Sequence, residues 1–189
     1  MGRKLSHLDA RGAAHMVDVG GKTVTAREAR ARARLRVSAE AISALTSGTG
    51  AKGDAIAVAR VAGIQAAKRT AEWIPLCHPL PLDQVAITFT VAPRTGEITI
   101  ESRARTRART GVEMEALVAA AAAALALYDM LKAVDRTIVI EELLVLEKRG
   151  GRSGHFRHPR AQAATPKSAR TRPRASVASG RRRPPGGTR

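Results

Sequence analysis

A chain of 189 residues with 33 Lys and Arg, 16 Asp and Glu, one cysteine and four aromatic residues has the length of one ordinary domain, with room for a tail. The lone Cys77 excludes an intrachain disulfide and so argues against a small secreted scaffold. No charged leader precedes an apolar stretch and no apolar run free of alanine approaches bilayer length, so neither a signal peptide nor a membrane span is expected, and the protein is expected to be cytoplasmic.

Along the chain, the first clear element is a strand over residues 28–38, where Ala29, Ala31, Ala33, Leu35 and Val37 alternate with Arg30, Arg32, Arg34, Arg36 and Ser38. A period of two gives one buried face and one strongly basic face. A short helix carrying Ile42 and Leu45 follows and ends at the Gly48-Thr49-Gly50 turn. A second helix opens at Gly53-Asp54 and runs to about Thr70. Its residues Ala55, Ala59, Gly63 and Ala67 form a stripe without bulk, which lets another element approach closely.

Residues 73–82 contain three prolines around Cys77 and His78 and read as a stiff loop. Residues 85–92 and 97–107 alternate apolar and polar positions about Pro93-Arg94-Thr95-Gly96 and form a β-hairpin. Residues 113–133 make the strongest helix, rich in Ala and Leu, with acidic residues in its first turn where the helix dipole favours them. Residues 137–148 form a last strand. The order β-α-α-β-β-α-β matches a ferredoxin-like split βαβ fold with an added helix, so an α+β fold is expected, its antiparallel sheet covered on one face. With 37 alanines, the core must consist largely of small side chains at close separations.

The domain is expected to span residues 1–156 and a disordered basic tail residues 157–189. Residues 1–156 hold 23 basic and 16 acidic groups, whereas residues 157–189 hold 10 basic groups and no acidic one. The tail lacks the apolar content to offset chain entropy, and without interleaved aromatics it is poorly suited to stacking on bases.

Nucleotide-phosphate loops, dinucleotide fingerprints, CxxC pairs and HExxH are absent, so the usual support for those chemistries is missing. What remains is polar residues at element ends. Lys52 stands at a helix start, where free amides and an ammonium can receive an anion. His78 is held in the stiff loop. Glu113 and Glu115 open the long helix, and Asp129 and Lys132 share a face near its other end. The 16 residues from Glu113 to Asp129 span roughly 24 Å, so if both ends are functional the site is shared between subunits. The glycine-rich run from Lys148 through Arg149 and Arg152 to Gly154 suits phosphate capture.

Six strings then occur in one order: His15-Met16-Val17-Asp18-Val19, Lys52-Gly53-Asp54, residues 62–70 (AGIQAAKRT), Ile74-Pro75-Leu76-Cys77-His78-Pro79-Leu80, residues 110–117 (TGVEMEAL) and residues 128–134 (YDMLKAV). From about Leu5 to Phe156 the sequence resembles the cyclic pyranopterin monophosphate synthases of molybdenum cofactor biosynthesis. The resemblance implies a homohexamer, a trimer of dimers, with each site at a subunit interface. It implies a lyase that converts (8S)-3′,8-cyclo-7,8-dihydroguanosine 5′-triphosphate to cyclic pyranopterin monophosphate and releases pyrophosphate. It further implies Asp129 as catalytic acid/base with Lys132 and Lys52 as partners, and Leu76, Cys77, His78, Met114 and Glu115 as substrate-binding residues, with Glu113, Arg27, Lys68 and Lys148 in support. Mg²⁺ is a candidate companion of the triphosphate, although no cluster of carboxylates demands a metal. Arg149 and Arg152 depart from the small residue and Lys common in the family. The rival reading is a basic RNA- or DNA-binding module of ferredoxin-like fold, driven by the arginine face and the tail, but its proposed strand faces offer only Phe89 for stacking.

Overall fold

The structure, a computed structural model, describes residues 6–47 and 54–162. In chain order these contain β1 (Thr25–Arg36), α1 (Ala39–Ser47), α2 (Ala55–Lys68), α3 (Thr70–Trp73), β2 (Gln84–Ala92), β3 (Glu97–Ala108), α4 (Glu113–Leu131), β4 (Val139–Arg149) and β5 (Phe156–Arg157). The strands form one antiparallel sheet in the order β2-β3-β1-β4-β5. The first four strands have the split βαβ arrangement that the element order predicts.

β1 begins three residues before its alternating run, because β3 pairs with it continuously from Thr25↔Ala108 to Arg36↔Glu97. Beyond α2 the chain makes one further turn, α3, where the Thr70 hydroxyl donates to the Ala67 carbonyl at 2.9 Å. The α2 start is capped by Asp54, whose carboxylate accepts from the Ala57 amide, the usual remedy for unpaired donors in a first turn.

The core lies between the sheet and the helices. Ala29, Ala31, Ala33 and Leu35 of β1 are almost wholly buried beneath α4, as are Ile98 and Ile100 of β3. Helix α4 is by length and apolarity alone capable of crossing a membrane, yet ten of its 19 residues are buried within the fold; it is the core helix. It meets α2 at the expected small-residue stripe: a Cβ placed on Gly63 would lie 2.6 Å from the Ala119 carbonyl oxygen and 3.2 Å from the Ala123 Cβ.

On the opposite sheet face the structure corrects the expectation of a strongly basic surface. Arg30, Arg32, Arg34 and Arg36 interleave with carboxylates from β3 and β4. Arg30 meets Glu101 at 2.7 Å, Arg32 meets Glu101 and Glu142 at 3.4 and 3.5 Å, Arg34 meets Glu142 at 3.4 Å, and Arg36 meets Glu141 at 2.9 Å. Arg32 is only 3% exposed. The alternation in β1 was legible, but the neutralising charges arrive from strands more than 60 residues away, so the face is an ionic lattice and not a free cationic surface for nucleic acid.

At the C-terminal end, β5 pairs Phe156 and Arg157 with Lys148 and Glu147, and a 3₁₀ turn follows at Pro159–Gln162. Residues 163–189, most of the expected tail, lie outside the described residues, as do Lys52 and the turn at Gly48-Thr49-Gly50.

Candidate active site

The stiff loop closes on itself at its N-terminal end and is anchored to the sheet at the C-terminal end of its proline run. The Cys77 amide donates to the Ile74 carbonyl at 3.0 Å, the Thr106 hydroxyl of β3 donates to the Pro81 carbonyl at 2.5 Å, and the Asp83 amide donates to Arg105 at 2.9 Å. This holds Leu76, Cys77 and His78 against the first turn of α4. Together with Met114, Glu115 and the N-terminal segment they line a cavity of about 310 Å³.

Glu115 is 4% exposed. Burial raises its carboxyl to about 7, its backbone amide pulls in the opposite direction, and the charge of Glu113 adds to the rise. Such a group can take or release a proton near neutral pH. The Cys77 thiol is also raised, by burial and then by Glu115, which keeps it protonated and unsuited to nucleophilic attack. His78 and Glu115 also border a second cavity, of about 270 Å³, together with Lys68 and Arg69 at the end of α2.

On the other side of Gly111 and Glu113 the first cavity adjoins a larger one of about 1000 Å³, whose wall includes Lys22, Arg27, Arg109, Lys148, Arg149 and Arg152. The Lys148 ammonium bridges Glu113, at 3.0 Å, and the Ser153 hydroxyl, at 2.8 Å. Arg149 turns back to Glu147, whose Oε1 it meets at 2.7 Å and which also pairs with His155 at 2.7 Å. The three cavities form a trough with a buried carboxyl and a histidine near its middle and a cationic basin at its wider end.

The fold therefore brings together Leu76, Cys77, His78, Glu113, Met114, Glu115, Arg27 and Lys148, and places Lys68 on the adjoining cavity. Asp129 and Lys132 do not join them within one chain. They form an exposed ion pair of 2.6 Å near the C-terminal end of α4, where the hydrogen bond and charge of Asp129 raise the Lys132 ammonium. Lys52 lies outside the described residues.

Sequence reasoning gave no role to Ser6, His7, Lys22, Arg109 and Thr110, all of which reach the trough. The N-terminal segment folds on itself through Asp9, whose carboxylate accepts the Arg11 and Ala13 amides at 2.8 Å, and a bridge joins Leu8 to Ala14. Signals existed: Lys22 follows the His15–Val19 string closely, and Arg109-Thr110 leads directly into Gly111-Val112.

The sequence profile of the MoaC family matches residues 16–151. A relative from Herpetosiphon aurantiacus is 56% identical over 155 residues, covering 82% of this chain and 94% of the relative. One from Chloroflexus aurantiacus is 54% identical over 157 residues, 83% of this chain and 96% of the relative, and one from Thermomicrobium roseum is 54% identical over 154 residues, 82% and 93% respectively. All three are named cyclic pyranopterin monophosphate synthase. With the profile matching most of the chain and identities above one half extending over nearly the whole of each relative, this chain belongs to the MoaC family.

Proposed function

We propose that the protein is a cyclic pyranopterin monophosphate synthase, a lyase that takes (8S)-3′,8-cyclo-7,8-dihydroguanosine 5′-triphosphate to cyclic pyranopterin monophosphate and pyrophosphate in molybdenum cofactor biosynthesis. The observation that carries this reading is the trough, whose cationic basin suits a triphosphate and whose buried carboxyl and histidine suit the base. Rebuilding the purine-derived ring as a pterin requires proton transfers at nitrogen and oxygen, which groups titrating near neutrality supply. Closing the cyclic phosphate forms a bond from a substrate hydroxyl oxygen to the α-phosphorus and breaks the bond to the bridging oxygen. The hydroxyl proton passes to a base, and the cations of the basin stabilise charge on the departing pyrophosphate.

Within this reading Arg27 and Lys148 hold the phosphates, Lys68 assists from the adjoining cavity, and Leu76, Cys77, His78, Met114 and Glu115 hold the base, oriented by Glu113. Asp129 is the acid/base, with Lys132 and Lys52 as its partners, and it serves the trough of a neighbouring subunit in a homohexamer. Mg²⁺ is a candidate companion of the triphosphate in this reading. A cytoplasmic location belongs to the same reading, supported by the single cysteine.

Purified protein given the cyclised GTP intermediate is expected to release pyrophosphate and form a pterin, and Asp129→Asn is expected to lose turnover while keeping the wild-type assembly in size-exclusion chromatography. Pyrophosphate release by the variant at the wild-type rate would remove Asp129 from its role, and none by the wild type would refute the reading.

A further inference from the structure

Arg27 is held on three sides. Its Nε donates to the Ala108 carbonyl and its Nη2 to the Arg109 carbonyl, both at 3.4 Å, which fixes the guanidinium plane against the end of β3. The third side is the loop after β4. Glu28 is paired with Arg149, so the two residues that follow Arg149 lie directly opposite Ala26 and Arg27. Both are glycines with left-handed backbones, φ +96° at Gly150 and +75° at Gly151. A Cβ on Gly150 would strike the Ala26 carbonyl oxygen, and a Cβ on Gly151 would fall on the Arg27 Nη1. The guanidinium occupies the space that any side chain at position 151 would need. Gly154, in the same loop and also left-handed at φ +62°, has nothing within 4 Å of its Cβ position. Backbone conformation alone asks for glycine at both 151 and 154; only at 151 does a neighbouring side chain ask for it as well.

We propose that Gly151 is a positioning residue for Arg27: its missing side chain leaves the space the guanidinium occupies against the loop and sets it as a fixed wall of the basin that receives the phosphates. This rests on the assignment of Arg27 to the phosphates made above. Three sides of restraint leave an arginine little rotamer freedom to lose when an anion arrives, and a planar fork held in one orientation recognises phosphate oxygens better than a mobile one. Glycine at 151 is thus a requirement of the ligand site as well as of the turn.

The test compares wild type, Gly151→Ala, Arg27→Ala and the double variant for the affinity of inorganic pyrophosphate by calorimetry and for KM and kcat in pyrophosphate release. Gly154→Ala reports the cost of left-handed strain in this loop alone. Gly151→Ala is expected to weaken pyrophosphate and raise KM about tenfold beyond the effect of Gly154→Ala, the scale of losing a hydrogen bond to a charged group, with kcat within about twofold of wild type. The double variant is expected to bind more weakly than Arg27→Ala by no more than the effect of Gly154→Ala, because with the guanidinium gone only the left-handed strain of the alanine remains. For the same reason it is expected to fold and assemble as Gly154→Ala does even if Gly151→Ala folds poorly. Losses that multiply in the double variant, or wild-type affinity in Gly151→Ala beside weakened affinity in Arg27→Ala, would overturn the proposal while leaving the basin assignment standing. Unchanged affinity in Arg27→Ala would instead refute that assignment and the proposal with it.

Discussion

At the scale of single residues, Glu115 is the group whose environment departs most from what its type suggests. Its place in the first turn of α4 was legible, and the resemblance made it a binding residue. Its titration near neutrality was not legible, because burial is decided by tertiary packing and not by neighbours in sequence. A carboxyl raised from about 4.5 to about 7 keeps in the folded state a proton that the unfolded chain releases. Stability conferred by that proton is therefore present below about pH 4.5 and lost as pH rises toward 7, after which the difference is constant. Glu115→Gln, which has no charge to bury, is expected to be more stable than wild type by about 3 kcal/mol well above pH 7 and equal to it near pH 4, as urea unfolding across pH would show. The same variant is expected to lose about a hundredfold in kcat if Glu115 exchanges a proton during turnover; loss of the pH-rate limb near 7 separates that role from simple binding.

At the scale of elements, the sequence announced which faces meet more clearly than what meets them. The stripe Ala55, Ala59, Gly63 and Ala67 predicted a close neighbour for α2. The structure shows that neighbour to be the alanine run of α4, against which Ala59 and Ala67 are buried and Gly63 leaves no space for a Cβ. Helix propensity favours Gly63→Ala by about 1 kcal/mol, whereas overpacking a closed contact costs about 1 to 3 kcal/mol. The contact includes the Ala119 carbonyl, which cannot swing aside as a side chain can, so packing wins: net destabilisation of up to about 2 kcal/mol is expected in denaturant unfolding. A stabilised variant would mean that the two helices separate at little cost. The arginine strand teaches the complementary lesson. Its period of two identified a strand and its two faces correctly, yet the charge of the outer face was misread, because cross-strand partners are set by register and not by neighbours in sequence.

At the scale of the whole molecule, the length of α4 governs the reading. Glu115 opens the helix inside the trough, while Asp129 and Lys132 stand exposed near its far end. Co-expressing Glu115→Gln with Asp129→Asn is therefore expected to restore about a quarter of wild-type turnover, since random pairing of subunits regenerates one intact shared site in four. Pyrophosphate release that stays at the level of the two parents would mean that each site is built within one chain. By itself the sequence determined the α+β class, the order of the main elements, the buried face of β1, the close-packing stripe of α2 and, through its ordered strings, the family; these depend on local periodicity and on residue identity, which sequence carries directly. Only the tertiary structure decided that the arginine face is neutralised, that Glu115 is desolvated, that Lys22 and Arg109 join the trough, and that Gly151 yields its space to Arg27. Each of these depends on which distant atoms come within a few ångströms, and that is fixed by strand register and packing, not by spacing along the chain.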